Sequence, residues 1–300
     1  MSAFKPPANW ERLYLLLQQC RTTLAAPVDT MGCDRLTDAA APKEVQRFHT
    51  LIALMLSAQT KDTVTAATMH ELMGRGLTVQ RVAGWAEAQL DGYIQKVGFH
   101  HTKAKHIKQV ADILLRDHAG LVPRRYEEII ALPGVGPKMT HLFLQGADGQ
   151  VLGIGVDTHV HRIARRFGWT PPTAKTPEDT RKCLEGWLPH RHWREINHLL
   201  VGLGQTVCAP IGPKCGECPL RGECPNAFRE GRAAAATPEK PRSPSATTSL
   251  SRAKAKGSEK ATPKPKKTAK AARAPATAKV KRKLHLSAAM KKTDEKIVTI

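Results

Sequence analysis

Apolar residues recur three and four positions apart along most of the first 228 residues. Trp10, Leu13, Leu16, Leu17 and Cys20 follow this spacing, as do Val45, Phe48, Leu51, Ile52 and Met55 in a stretch that runs to Ser57. A spacing of three and four puts one apolar stripe on one face of an α-helix. The same reading predicts helices over His106–Arg116, Tyr126–Leu132, Met139–Gln145, Thr158–Phe167 and Asn197–Val207. Asp157 stands where an N-cap belongs, just before the Thr158 helix. Alternation of the kind a strand needs is scarce; Gly149–Gly155, bounded by glycines, is the one candidate. The fold class read from the pattern is all-α.

The pattern stops near Phe228, and the charge changes there. The 300-residue chain carries a formal net charge of +21. Residues 231–300 hold 19 Lys+Arg against 4 Asp+Glu, a net of +15, and Met1–Glu230 hold 28 against 22, a net of +6. After Phe228 there is no Phe, Trp or Tyr, and Ala, Lys, Pro, Ser and Thr dominate. Such a segment cannot bury enough apolar surface to offset the entropy of ordering. Residues 228–300 are therefore expected to be a disordered basic tail. So basic a chain calls for a polyanionic partner, nucleic acid first. No apolar run is long enough to span a membrane, and the first residues lack the apolar segment of a secretory signal.

Seven cysteines and no secretory signal argue for free thiols in a reducing compartment rather than a disulfide framework. Four of them, Cys208, Cys215, Cys218 and Cys224, are separated by six, two and five residues. Four thiolates this close suit a zinc ion or an iron–sulfur cluster, and spacing alone leaves both open.

Upstream, Leu132-Pro133-Gly134-Val135-Gly136-Pro137-Lys138 joins two predicted helices. Gly134 and Gly136 would admit backbone angles closed to other residues. The N–H groups at the start of the second helix would then form an anion site suited to a DNA phosphate. An ordinary helix–turn–helix corner is the plain alternative. Lys138 lies at that helix start. An exposed lysine has a pKa of ~10.4 and is protonated at neutral pH; a helix N-terminus disfavours the ammonium and favours a nucleophilic amine. Contact with a phosphate is the plain alternative here too. Asp157, nineteen positions on, has two uses open to it. It can cap a helix, or it can take up a proton and counter positive charge developing on a sugar.

These motifs, taken with Leu56-Ser57-Ala58-Gln59-Thr60-Lys61-Asp62, Gly98-Phe99-His100-His101-Thr102-Lys103-Ala104, Val156-Asp157-Thr158-His159-Val160-His161-Arg162 and Ile196–Gln205, resemble the endonuclease III family over most of Lys43–Pro225. Pro137-Lys138-Met139 is more similar to the eukaryotic members. The resemblance implies two helical domains flanking a DNA-binding cleft. Residues 40–149 would form a six-helix barrel with the helix-hairpin-helix. Residues 1–39 and 150–227 would form a domain carrying a [4Fe–4S] cluster on the four cysteines.

It also implies a bifunctional DNA glycosylase/AP lyase of base excision repair, acting on duplex DNA with damaged pyrimidines or abasic sites. Lys138 would be the nucleophile and Asp157 the catalytic carboxylate. Gln59 would enter the duplex where the damaged nucleotide has left. Gly134, Val135 and Gly136 would bind phosphate, and Lys214 and Arg221 of the cysteine loop would face the DNA backbone. A monomer is expected, with downstream repair proteins as further partners. A monofunctional adenine glycosylase of the same superfamily and a non-catalytic metal-cluster DNA-binding module are the rivals. An 8-oxoguanine glycosylase is a further rival, and the cysteine loop counts against it; Lys138 counts against the adenine glycosylase, and Lys138 together with Asp157 against the non-catalytic module. Lys279-Val280-Lys281-Arg282-Lys283 in the tail reads as a nuclear import signal, with the mitochondrion as a second destination.

Overall fold

A computed structural model describes residues 4–229. The tail beyond them, with its import signal at 279–283, lies outside the described residues. Among the described residues twelve α-helices follow one another. They are α1 (Trp10–Thr23), α2 (Pro27–Met31), α3 (Lys43–Ser57), α4 (Asp62–Gly74), α5 (Val79–Gly84), α6 (Glu87–Tyr93), α7 (His100–Asp117), α8 (Tyr126–Ile130), α9 (Pro137–Asp148), α10 (Thr158–Arg166), α11 (Pro177–Glu185) and α12 (Trp193–Thr206). No strand occurs among the described residues. The strand considered at Gly149–Gly155 is a correction: Gly149 takes a left-handed conformation at φ 70° to end α9, and an irregular connection runs from there to α10.

Two separate hydrophobic cores organise the helices. The first is built on α3 to α9, with Phe48, Leu51, Ile52, Leu56, Met69, Ile107 and Phe143 at its centre. The second takes Leu13, Tyr14 and Leu17 from α1, and Val160, Ile163, Trp169, Leu184, Leu200 and Leu203 from the last third of the described chain. The chain crosses from the second core to the first within α2, where Val28 packs on one and Met31 on the other. It returns between Ala147 and Ile154.

A buried arginine fixes the orientation of α9 in the first core. Arg47 of α3 meets Asp148 at the end of α9 through two 2.8 Å hydrogen bonds, and donates to the carbonyls of Val122 and Pro123 at 2.6 and 3.0 Å. A paired, fully hydrogen-bonded guanidinium of this kind is costly to disrupt from one side. The second core is aromatic. Trp169 stacks near Tyr14 and meets Phe167 and Trp187 edge-on, with centroids 5.1 and 5.9 Å away. Its two ends come from opposite ends of the described chain: Asn9 Nδ2 donates to the Glu223 carbonyl at 3.1 Å, and Arg12 pairs with the Glu223 carboxylate at 2.9 Å.

Candidate active site and cluster loop

Between α8 and α9 the chain turns through Leu132–Gly136. Gly134 has φ 75°, and a Cβ there would sit 2.6 Å from His106 Nδ1, so the turn needs glycine on both counts. Gly136 differs from the expectation. Its φ of −113° is open to any residue, and a Cβ would meet nothing within 4 Å. What Gly136 leaves is open space in front of the helix start. Val135 turns its side chain into the first core, and its N–H donates to the Leu132 carbonyl at 3.1 Å. Pro137, which has no N–H to leave orphaned, begins α9, and Lys138 follows it.

The connection from α9 to α10 brings Asp157 back to the same place. Lys138 Nζ lies 4.0 Å from Asp157 Oδ2, with the lysine side chain 36% exposed and the aspartate 14%. Asp157 Oδ1 meanwhile accepts from the Val160 N–H at 2.8 Å. One carboxylate oxygen thus caps α10 while the other faces the amine. Close packing behind it sets the angle. A Cβ at Gly204 of α12 would lie 2.4 Å from His159 Nδ1, so only glycine lets α12 approach α10 this closely. Burial holds the His159 ring below the usual imidazole range, which keeps it neutral beside the pair.

Lys138 and Asp157 open into a cleft of about 1320 Å³ that residues of both cores line, with Gln59, Lys61, Asp62 and His198 among them. Gln59 sits in the turn between α3 and α4 with φ 52°. Left-handed backbone at a non-glycine residue is uncommon and concentrates at functional sites. A second such residue stands beside it. Phe99, just before α7, has φ 58° and is 65% exposed. The two turns touch: the Gly98 N–H donates to Thr60 Oγ1 at 3.2 Å, and a Cβ at Gly98 would lie 2.6 Å from the Gln59 carbonyl oxygen. Asp91 holds the next two residues, accepting from His100 Nδ1 at 2.6 Å and meeting His101 Nδ1 at 3.0 Å. Phe99 was not singled out by pattern; an exposed aromatic in an extended motif carries no signal until its backbone is seen.

The cysteine loop lies at the other end of α10. None of the seven cysteines is disulfide-bonded, and the four of the loop line a small cavity with Arg166, Phe167 and Leu203. Burial pushes the Cys218 thiol up to about 11 and raises that of Cys224, and neighbouring loop cysteines add to both. Such thiols ionise only with a cation to hold them. Four thiols converging on one cavity fit a bound metal, and their chemistry suits a zinc ion and an iron–sulfur cluster alike.

Arg166 backs the loop. It is 8% exposed, and its Nη1 donates to Cys208 Sγ and to the carbonyls of Cys208 and Ala209 at 3.2, 3.2 and 2.8 Å. Nη2 reaches the Pro210 carbonyl at 3.2 Å. Lys214 pairs with Glu217 at 3.8 Å on an exposed surface, and Arg221 donates to the Gly216 carbonyl within the loop. Arg221 thus lines the cysteine cavity and ties the loop to itself.

A helical fold with two cores, a glycine hairpin opening a helix and a lysine–aspartate pair in a cleft define a helix-hairpin-helix DNA repair protein. The description "HhH-GPD superfamily base excision DNA repair protein" matches residues 52–190. Endonuclease III-like protein 1 of Gallus gallus is 48% identical over 223 residues, covering 74% of this chain and 79% of that protein. The Mus musculus protein of the same name is 47% identical over 221 residues, covering 74% of each. A solved structure of a trapped endonuclease III–DNA covalent intermediate superposes with a TM-score of 0.59 at 28% identity, over 72% of this chain and 99% of that one. The chain belongs to the endonuclease III family, and is a DNA-binding glycosylase of base excision repair.

Proposed function

We propose that the protein is a bifunctional glycosylase and AP lyase that removes oxidised pyrimidines from duplex DNA. The observation that carries this reading is the 4.0 Å approach of Lys138 Nζ to Asp157 Oδ2 at the cleft wall. An amine must shed a proton before it can attack, and a carboxylate at this distance is the acceptor within reach. The nitrogen lone pair bonds to C1′ of the deoxyribose. The bond from C1′ to the base breaks, and its electrons leave with the base, which takes up a proton. Ring opening gives an imine between Nζ and C1′. The imine acidifies the C2′ proton; its removal expels the 3′ phosphate and cuts the strand. Asp157 takes up the amine proton and counters positive charge as the base departs.

The base must leave the stack to reach this pair. Gln59, which lines the cleft, and Phe99, exposed on the turn packed against it, are suited to fill the gap. The open space in front of Gly136 and the free start of α9 suit a phosphate. We assign a [4Fe–4S] cluster to Cys208, Cys215, Cys218 and Cys224, where it would serve as scaffold. The covalent intermediate of a structural neighbour supports the lysine chemistry. Borohydride reduction tests it. The wild type should give a protein–oligonucleotide adduct through Lys138 on DNA with an oxidised pyrimidine, while Lys138→Gln should give none and still bind the damaged duplex. An adduct that survives the substitution rejects the assignment.

A further inference from the structure

Lys103, the fourth residue of α7, is 8% exposed and makes no ion pair among the described residues. Its ammonium has three N–H groups and finds three acceptors: the carbonyls of Leu56 and Ala58 at 2.7 and 2.5 Å, and Thr60 Oγ1 at 3.1 Å. All three belong to the end of α3 and the turn that carries Gln59. The C-terminal carbonyls of a helix attract a cation. Through its own backbone N–H the same residue donates to the Phe99 carbonyl at 3.1 Å. Thr60 Oγ1 completes the circuit, accepting from the Gly98 N–H as well.

We propose that Lys103 is a positioning residue that locks the Gln59 and Phe99 turns into one rigid wedge for opening the duplex. The inference rests on the reading of those two residues as gap fillers. Two left-handed residues at φ 52° and 58° each need surroundings that hold them; the ammonium binds the Gln59 turn directly and reaches the Phe99 turn through Thr60 Oγ1, which also accepts from the Gly98 N–H. Burial draws its pKa down to about 8, so the fold keeps a cation here against a desolvation cost. A methionine would fill the space without that cost. It would leave the Leu56 and Ala58 carbonyls without this donor and remove its bond to Thr60 Oγ1, which loosens the turns. A wedge that must be ordered on arrival at DNA loses binding free energy that a preformed one keeps.

The test compares Lys103→Met with wild type on two abasic substrates, a duplex and a single strand that has no stack to open. A duplex with 2-aminopurine opposite the abasic site reports displacement of the facing base. The variant should lose about tenfold in kcat/KM on the duplex and lose the 2-aminopurine signal, and keep single-strand cleavage and its borohydride adduct within about twofold. Equal losses on both substrates, or an unchanged duplex rate, overturn the proposal. Should Lys103→Met fail to fold, Thr60→Val removes the shared Oγ1 and leaves the ammonium in place. It should shift the duplex-to-single-strand ratio in the same direction, and an unmoved ratio overturns the proposal equally. Failure of the lysine chemistry itself shows separately, as absence of a single-strand adduct in the wild type.

Discussion

At the N-terminal end of α10 the protein is organised by a helix cap, close glycine packing and apolar burial. At the C-terminal end, across the nine residues Thr158–Arg166, it is organised by a guanidinium and four thiols. In the cleft, Lys138 and Asp157 are held 4.0 Å apart by elements rooted in the two cores. The cysteine loop has little regular structure, one 3₁₀ turn at Cys215–Glu217, and a single fully buried apolar side chain, Leu220. Geometry fixed by packing survives loss of a charge. A loop fixed by charge and thiolates does not.

The sharpest way to separate the ends is Asp157→Asn. Asparagine caps a helix as well as aspartate, so stability should stay within about 0.5 kcal/mol by thermal denaturation. Base excision should fall by roughly 10²- to 10⁴-fold, because the proton acceptor is gone. A matching loss of stability would mean the cap, not the chemistry, sets the role of Asp157. Next in size is the core behind the cleft. Phe143→Ala removes a ring with no exposure and should cost about 3–5 kcal/mol in urea denaturation.

A smaller effect follows at the loop. Arg166→Leu strips a donor from Cys208 Sγ and three carbonyls, and should cost about 1–3 kcal/mol. Unlike Phe143→Ala, it should bleach the visible absorbance of the proposed cluster before circular dichroism changes. Simultaneous loss of both signals would erase the distinction. The smallest effect is with pH. Burial lowers the pKa of His49, His141 and His159, so these rings bind fewer protons folded than unfolded. Their stabilising contribution is complete above the unfolded value of ~6.5 and declines as pH falls below it. The thermal midpoint of a His49→Gln/His141→Gln variant should fall less steeply from pH 7 to 5 than that of the wild type.

Much of this was legible in the chain. The stripes of α1, α3 and α7 gave their helices, and Asp157 its cap, because one-sided burial leaves a period in the sequence. The helix α4 escaped detection because Thr65 and Thr68 share its buried face with Ala66, Met69 and Leu72. The short α5 and α6 offer too few turns to show a period. The nineteen positions between Lys138 and Asp157 allowed their adjacency without requiring it; folding brings Nζ and Oδ2 to 4.0 Å. Lys103 and Arg166 drew no reading of their own from the sequence; only three-dimensional folding shows that each is buried against main-chain carbonyls. Phe99 needed its backbone angle.

The hydrogen bond from Asn9 to Glu223 has a consequence for how the protein is made. On the ribosome, α3 to α9 leave the exit tunnel with every partner of their core already synthesised. The opening helix α1 must wait, its apolar face uncovered, until some two hundred further residues have been translated. Truncated nascent chains should therefore present α1 to chaperones until the cysteine segment emerges.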